Sequence, residues 1–162
     1  MKLYRIADCT YINDLTGYGA ALTGGRWNSK GVFLTYTSQN VSLAQLETLK
    51  RYELSRRYVH NKCLIILQVP LRSMLIVTAA NLRRGWRNDP APKYLQQIGD
   101  FFYHQNKYLV LKVPSALNPE EYNYLVNPRH KDFSKIKVIK QQPISIDRRL
   151  VRQPGIKQRK KP

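Results

Sequence analysis

The chain divides by side-chain pattern into short segments of opposite kinds. Lys2 to Ile6 reads as a short strand, and Val32 to Thr37, rich in β-branched and aromatic residues, predicts another. Val41 to Tyr58 holds good helix formers without Gly or Pro and predicts a helix directly after that strand. Cys63 to Val69 is a continuous apolar run that reads as a buried strand ended by Pro70, and Leu75 to Thr78 continues the sheet after a turn. A Pro-started, aromatic-rich helix is expected over Pro90 to Asn106, and a strand over Tyr108 to Val113 that stops at Pro114-Ser115. Asn118-Pro119-Glu120-Glu121 resembles a helix start, with Asn118 as cap and Glu121 closing a capping box. Ile136 to Ile139 predicts a last strand, with Ile144 to Ile146 extending the sheet beyond it. Between Gly17 and Gly25 four glycines crowd together, which predicts an irregular loop wrapped around something. The pattern as a whole predicts an α+β fold in one domain, residues 1–150, followed by a tail at 151–162.

Composition narrows this picture only a little. A length of 162 residues suits one domain, and an apolar share of 43% is that of a folded protein rather than a disordered one. Charge is more telling: 28 Lys and Arg against 10 Asp and Glu give a formal +18, which predicts an anionic partner, whether nucleic acid, acidic protein or phosphorylated metabolite. From Arg148 onward there are basic residues and no acidic one, so a mobile basic tail is expected. Met1-Lys2-Leu3-Tyr4-Arg5 enters charged residues without an apolar signal region, which predicts a soluble, cytoplasmic protein. Cys9 and Cys63 lie far from each other, and with His60, His104 and His130 they make no recognised zinc-ligand pattern, so buried thiols are expected, with neither a disulfide nor a metal site.

Candidate chemistry concentrates between Leu22 and Glu47. Paired glycines permit close backbone approach, Arg26 offers a planar cation suited to phosphate, Tyr36 an aromatic face and Glu47 a carboxylate. Together they point to a phosphorylated, ring-bearing ligand.

Six segments extend that cluster along the chain: Leu15 to Ala20, Gly24-Gly25-Arg26-Trp27-Asn28-Ser29, Tyr36-Thr37-Ser38, Ala44-Gln45-Leu46-Glu47, Val113-Pro114-Ser115-Ala116 and Asn123 to Pro128. In order and spacing, over roughly Leu3 to Leu150, they resemble the RES-domain proteins, the toxin half of RES–Xre toxin–antitoxin pairs. The naming Arg, Glu and Ser of that family fall on Arg26, Glu47 and Ser115. Two departures from the family pattern are Tyr18, where an acidic residue is usual, and Arg129-His130-Lys131, which lacks a proline after the histidine. The resemblance implies a mixed or antiparallel sheet with flanking helices, similar to ADP-ribosyltransferases. It also implies a cleft that binds NAD as substrate and breaks its nicotinamide–ribose bond, no metal, and an Xre-type antitoxin as neutralising partner. Some relatives degrade NAD and others modify proteins with ADP-ribose.

Each candidate residue also has a purely structural role open to it. Glu47 would oppose positive charge on the ribose, or pair on a helix surface with Arg51. Arg26 would grip the pyrophosphate alongside glycine amides, or bond loop carbonyls. Tyr36 would face nicotinamide or ribose, or pack as a strand tyrosine. Ser115 would orient a phosphate or ribose hydroxyl, or bond its own turn; Asn127 would contact the ligand, or shape the loop before Pro128. Trp27 is expected in the core. A second class of function, a basic nucleic-acid-binding module, fits the charge, although basic and aromatic residues do not interleave as such modules require.

Overall fold

The computed structural model describes residues 1–52, 61–70, 74–147 and 150. The strands are β1 (Lys2–Asp8), β2 (Thr35–Ser38), β3 (Lys62–Gln68), β4 (Met74–Ile76), β5 (Val110–Pro114), β6 (Tyr122–Val126) and β7 (Lys137–Ile144), and the helices are α1 (Tyr18–Thr23), α2 (Val41–Tyr52) and α3 (Lys93–Gln105). All seven strands join one sheet in the order β4-β5-β6-β2-β1-β3-β7. Only β4 and β5 run parallel, so the sheet is mixed and the α+β class expected from the sequence holds. β6, late in the chain, lies between β5 and β2, and therefore joins the two halves of the sheet.

Directly opposed residues on paired strands share a face. Tyr36 opposes Leu125, which opposes Leu111; Ser38 opposes Asn123, which opposes Val113. On this face Leu111, Val113 and Leu125 pack with Trp27, Leu34, Leu95 and Phe102, so the glycine-rich loop and α3 cover it. The opposite face buries Leu3, Ile65, Leu67, Val110, Tyr124 and Val126 around Ile12. α3 approaches the loop backbone directly: a Cβ added at Gly99 would lie 1.6 Å from the Trp27 carbonyl oxygen. Glycine is required there because nothing larger fits between helix and loop.

Several elements depart from the sequence pattern, each for a local reason. The crowded glycines bracket a helix instead of excluding one, since Gly17 and Gly24 cap α1 with positive φ of 78° and 73°. β2 starts at Thr35 rather than Val32 because the Val32 amide and carbonyl are bonded to Ser29 and Asn28 within the loop. α2 begins at Val41 with Asn40 accepting the Leu43 amide; the rest of the helix expected to Tyr58, beyond Tyr52, lies outside the described residues. Asn118 to Glu121 forms a turn and no helix, because the Glu121 carboxylate is engaged by Gln39, Asn40 and Asn118. Tyr122 to Val126, not foreseen as a strand, is β6. The strand expected at Ile136 to Ile139 is β7, which continues through Pro143 and ends at Ile144, so Ser145 and Ile146 do not extend the sheet; a proline is tolerated on this outermost strand because one edge needs no donor.

The cysteines correct an expectation. Cys9 and Cys63 form a disulfide with Cα atoms 4.9 Å apart, although 54 residues separate them in sequence. Pairing of β1 with β3 sets Ala7 opposite Cys63 and so brings the two sulfurs together, a proximity that sequence spacing alone does not show. The expected tail at 151–162 lies outside the described residues. No helix among those described is long and apolar enough to cross a membrane.

Candidate active site

The site is assembled where α2, packed on β1 and β2, sends a side chain toward β5 and β6. Glu47, half-buried on α2, turns its carboxylate toward the ends of β5 and β6. Its Oε1 accepts two hydrogen bonds, from Ser115 Oγ at 2.7 Å and from Asn123 Nδ2 at 2.6 Å. Among the described residues Oε2 accepts none. Ser115 follows β5, is fully buried, and its oxygen also accepts the Leu117 and Asn118 amides at 3.1 and 3.2 Å. Ser115 thus organises its own turn, the structural role open to it, and also reaches across 68 residues of sequence to Glu47.

The positions of α2 and this turn are tied together by a second carboxylate. Glu121 accepts Gln39 Nε2 at 3.2 Å and Asn40 Nδ2 at 2.5 Å through one oxygen, and Asn118 Nδ2 at 3.0 Å through the other. Asn40 is also the residue that caps α2, so the start of the helix and the β5–β6 turn are held in one register.

Tyr36 points from β2 into the glycine-rich loop. Its hydroxyl donates to Asn28 Oδ1 at 2.7 Å and accepts the Trp27 amide at 3.2 Å, while Asn28 Nδ2 bonds the carbonyls of Ala20, Ser29 and Val32. Gly25 is glycine for this reason: a Cβ there would lie 2.7 Å from the Tyr36 hydroxyl oxygen. Gly25 therefore makes room for the tyrosine while Gly24 takes a positive φ, and both amides are already used, Gly24 on Ala20 and Gly25 on Asn28. An expected cradle of glycine amides is not what this loop offers. Trp27 is in the core, as its size predicts.

Arg26 adopts the structural arrangement open to loop arginines. Its guanidinium donates to the carbonyls of Trp86 at 2.6 Å and Asn88 at 3.1 Å, fastening the 86–88 loop, whose Arg87 Nε in turn bonds the Ala116 carbonyl beside Ser115. Burial pulls Arg26 below the usual arginine range, while the charges of Asp89, Glu47 and Tyr36 oppose the shift. Arg26 remains a cation and lies within electrostatic reach of Glu47 and Tyr36. Four of the five candidates, Arg26, Tyr36, Glu47 and Ser115, thus surround one region.

Asn127 does not belong to it. It lies at the far end of β6, about 13 Å from Asn123 at the rise of an extended strand. Its side chain is buried, donating to the Tyr103 carbonyl and Asn106 Oδ1 and accepting the Arg129 amide, which is the loop-shaping role. Asn123 is the residue that sequence reasoning passed over; reading Asn123 to Asn127 as a strand would have set it beside the end of β5. Among the described residues no group of three or more His, Cys, Asp or Glu side chains could hold a metal ion.

A family model described as the RES domain matches residues 2–148. The chain belongs to the RES domain family. Among curated proteins it is similar to Toxin Res of Yersinia enterocolitica, with 40% identity over 134 residues that cover 82% of this chain and 88% of that one. It is also similar to a Prs ADP-ribosylating toxin of a Sphingobium species, 37% identical over 143 residues covering 86% and 88%. In fold, this RES-domain protein matches a chain from the crystal structure of the M. tuberculosis MbcT–MbcA toxin–antitoxin complex with a TM-score of 0.75, covering 89% of this chain and 84% of that one at 16% identity.

Proposed function

We propose that this RES-domain protein is the toxin of a toxin–antitoxin pair and that it cleaves the nicotinamide–ribose bond of NAD. The observation that carries the reading is the Glu47 carboxylate, fixed through one oxygen by Ser115 and Asn123, with the other accepting no bond among the described residues and the Arg26 cation within electrostatic reach. When nicotinamide leaves with the bonding electron pair, the ribose carbon becomes oxocarbenium-like. A preorganised carboxylate stabilises that charge as it develops and binds ribose hydroxyls in the ground state. Arg26 holds the wall of the site through the 86–88 loop and supplies positive potential for the two phosphates. Tyr36 supplies an aromatic edge. Water or phosphate then attacks the ribose carbon, and the proton of the attacking group goes to solvent.

A second reading within the same chemistry is transfer of ADP-ribose to a protein, and it is favoured by the 37%-identical relative named as an ADP-ribosylating toxin. The neutralising partner is an antitoxin, of Xre type on the family resemblance, and the cytoplasm, where NAD is made and used, is the place of action. The +18 charge suits an acidic antitoxin surface.

Incubating the purified protein with NAD, with and without phosphate, separates these outcomes. Free nicotinamide with ADP-ribose, or with a phosphorylated ADP-ribose when phosphate is present, supports cleavage. Label from adenine-labelled NAD retained on a protein supports transfer. Absence of NAD turnover, together with salt-sensitive binding to RNA or DNA, overturns the enzyme reading in favour of a basic nucleic-acid module. Glu47→Gln, checked for folding by circular dichroism, is expected to lower turnover about 100-fold or more, the scale of a lost preorganised electrostatic contact.

A further inference from the structure

We propose that Asn123 is a positioning residue for Glu47, holding its carboxylate in the single orientation that leaves one oxygen open to the substrate. The inference rests on the reading of Glu47 as the charge-stabilising carboxylate. Asn123 occupies the second position of β6, opposite Ser38 of β2 and Val113 of β5. Its Nδ2 donates to Glu47 Oε1 at 2.6 Å and its Oδ1 accepts from Ser38 Oγ at 2.8 Å.

The direction of every bond in this chain follows from donor and acceptor chemistry. An ionised carboxylate only accepts, so the amide must turn its nitrogen to Glu47 and its oxygen to Ser38, which must then donate. Ser115 has one hydroxyl proton and gives it to the same Oε1. Glutamate has three rotatable side-chain bonds, and two converging donors on one oxygen remove the freedom that a single donor would leave. Ser38 and Ser115 are buried, so neither bond competes with bulk water.

The side-chain type is specific to this task. Aspartate at 123 would set a second anion against Glu47, serine would fall short of it, and leucine would match the volume without a donor. The assignment also recasts Ser115, whose proton is committed to Glu47 and which therefore acts on the substrate through that carboxylate.

The test uses N123L and N123A in the full chain, with thermal unfolding as a folding control. Turnover is expected to fall tenfold to hundredfold, about the loss that a 1 Å misplacement of a reacting group produces, while KM for NAD stays within about threefold. N123L added to Glu47→Gln is expected to lower turnover no further, because the effect of Asn123 passes through Glu47. Crystal structures of N123L and N123A are expected to show the carboxylate displaced from Ser115 or in more than one rotamer. An unmoved Glu47 in those structures overturns the inference, as does a rise in KM with unchanged turnover, which would make Asn123 a substrate contact. If the wild-type protein leaves NAD intact, the proposed activity falls, and the position of Glu47 in the variant structures alone decides the role of Asn123.

Discussion

Arg26 and Tyr36 show how one side chain can carry the loop and border the site together. The planar fork that suits phosphate also suits carbonyls, and here it is turned to Trp86 and Asn88. The Tyr36 hydroxyl, suited to a ribose, is joined to Asn28 and to the Trp27 amide. Tyr36→Phe should therefore destabilise the fold by about 1–3 kcal/mol, the cost of leaving half-buried polar groups unpaired, and urea unfolding would measure it. A variant as stable as the parent would show that these bonds contribute nothing. Arg26, Glu47 and Ser115 stand out in the sequence through the resemblance to RES-domain proteins, since residue type alone leaves each a purely structural role. Asn123 was not, since an asparagine acquires its role here only from the neighbours that strand pairing supplies. Asn127 attracted attention from its place before Pro128 and proves to shape that loop.

At the scale of elements, what reads well from sequence is a segment with its own local logic. β3, α3 and β5 lie where their apolar patterns put them, within a few residues. What reads poorly is any element whose ends are set by contacts far away in sequence. The boundary of β2 depends on Asn28, and the failure of Asn118 to start a helix depends on Gln39 and Asn40. The disulfide belongs to the same class, because it depends on the β1–β3 register. The contact of α3 with the Trp27 backbone is likewise invisible in the sequence, since a glycine within a helix pattern marks only a local weakness. Gly99→Ala should cost well beyond the roughly 1 kcal/mol gained from alanine's helix propensity, because helix and loop must separate to admit the methyl group. Thermal unfolding would show a midpoint several degrees lower, and a raised midpoint would refute the close packing of α3 on the loop.

For the molecule as a whole, charge and topology set the behaviour. Asp8, Asp89 and Asp132 lie below the carboxylate reference of 3.8, held there chiefly by the Thr10 amide, by a hydrogen bond from Lys50 and by one from Lys135. A carboxylate with a lowered folded pKa contributes stability above its unfolded value and loses it as pH falls through the folded one. The melting temperature should therefore hold between pH 7 and about 5 and fall below about 4, as these groups are neutralised and the excess positive charge goes unopposed. A midpoint that rises below pH 4 would contradict this. Topology acts on a different axis, that of time. β6 is made after β5 and separates it from β2, yet it carries Asn123 and anchors the turn that presents Ser115. A chain still emerging from the ribosome can therefore form its glycine-rich loop and α2 long before it can gather Glu47, Ser115 and Asn123. The constellation closes only once β6 has been made and has slid into place between β5 and β2. On the proposed reading, a chain of this design gains its activity nearly all at once, late in its folding, and not by degrees.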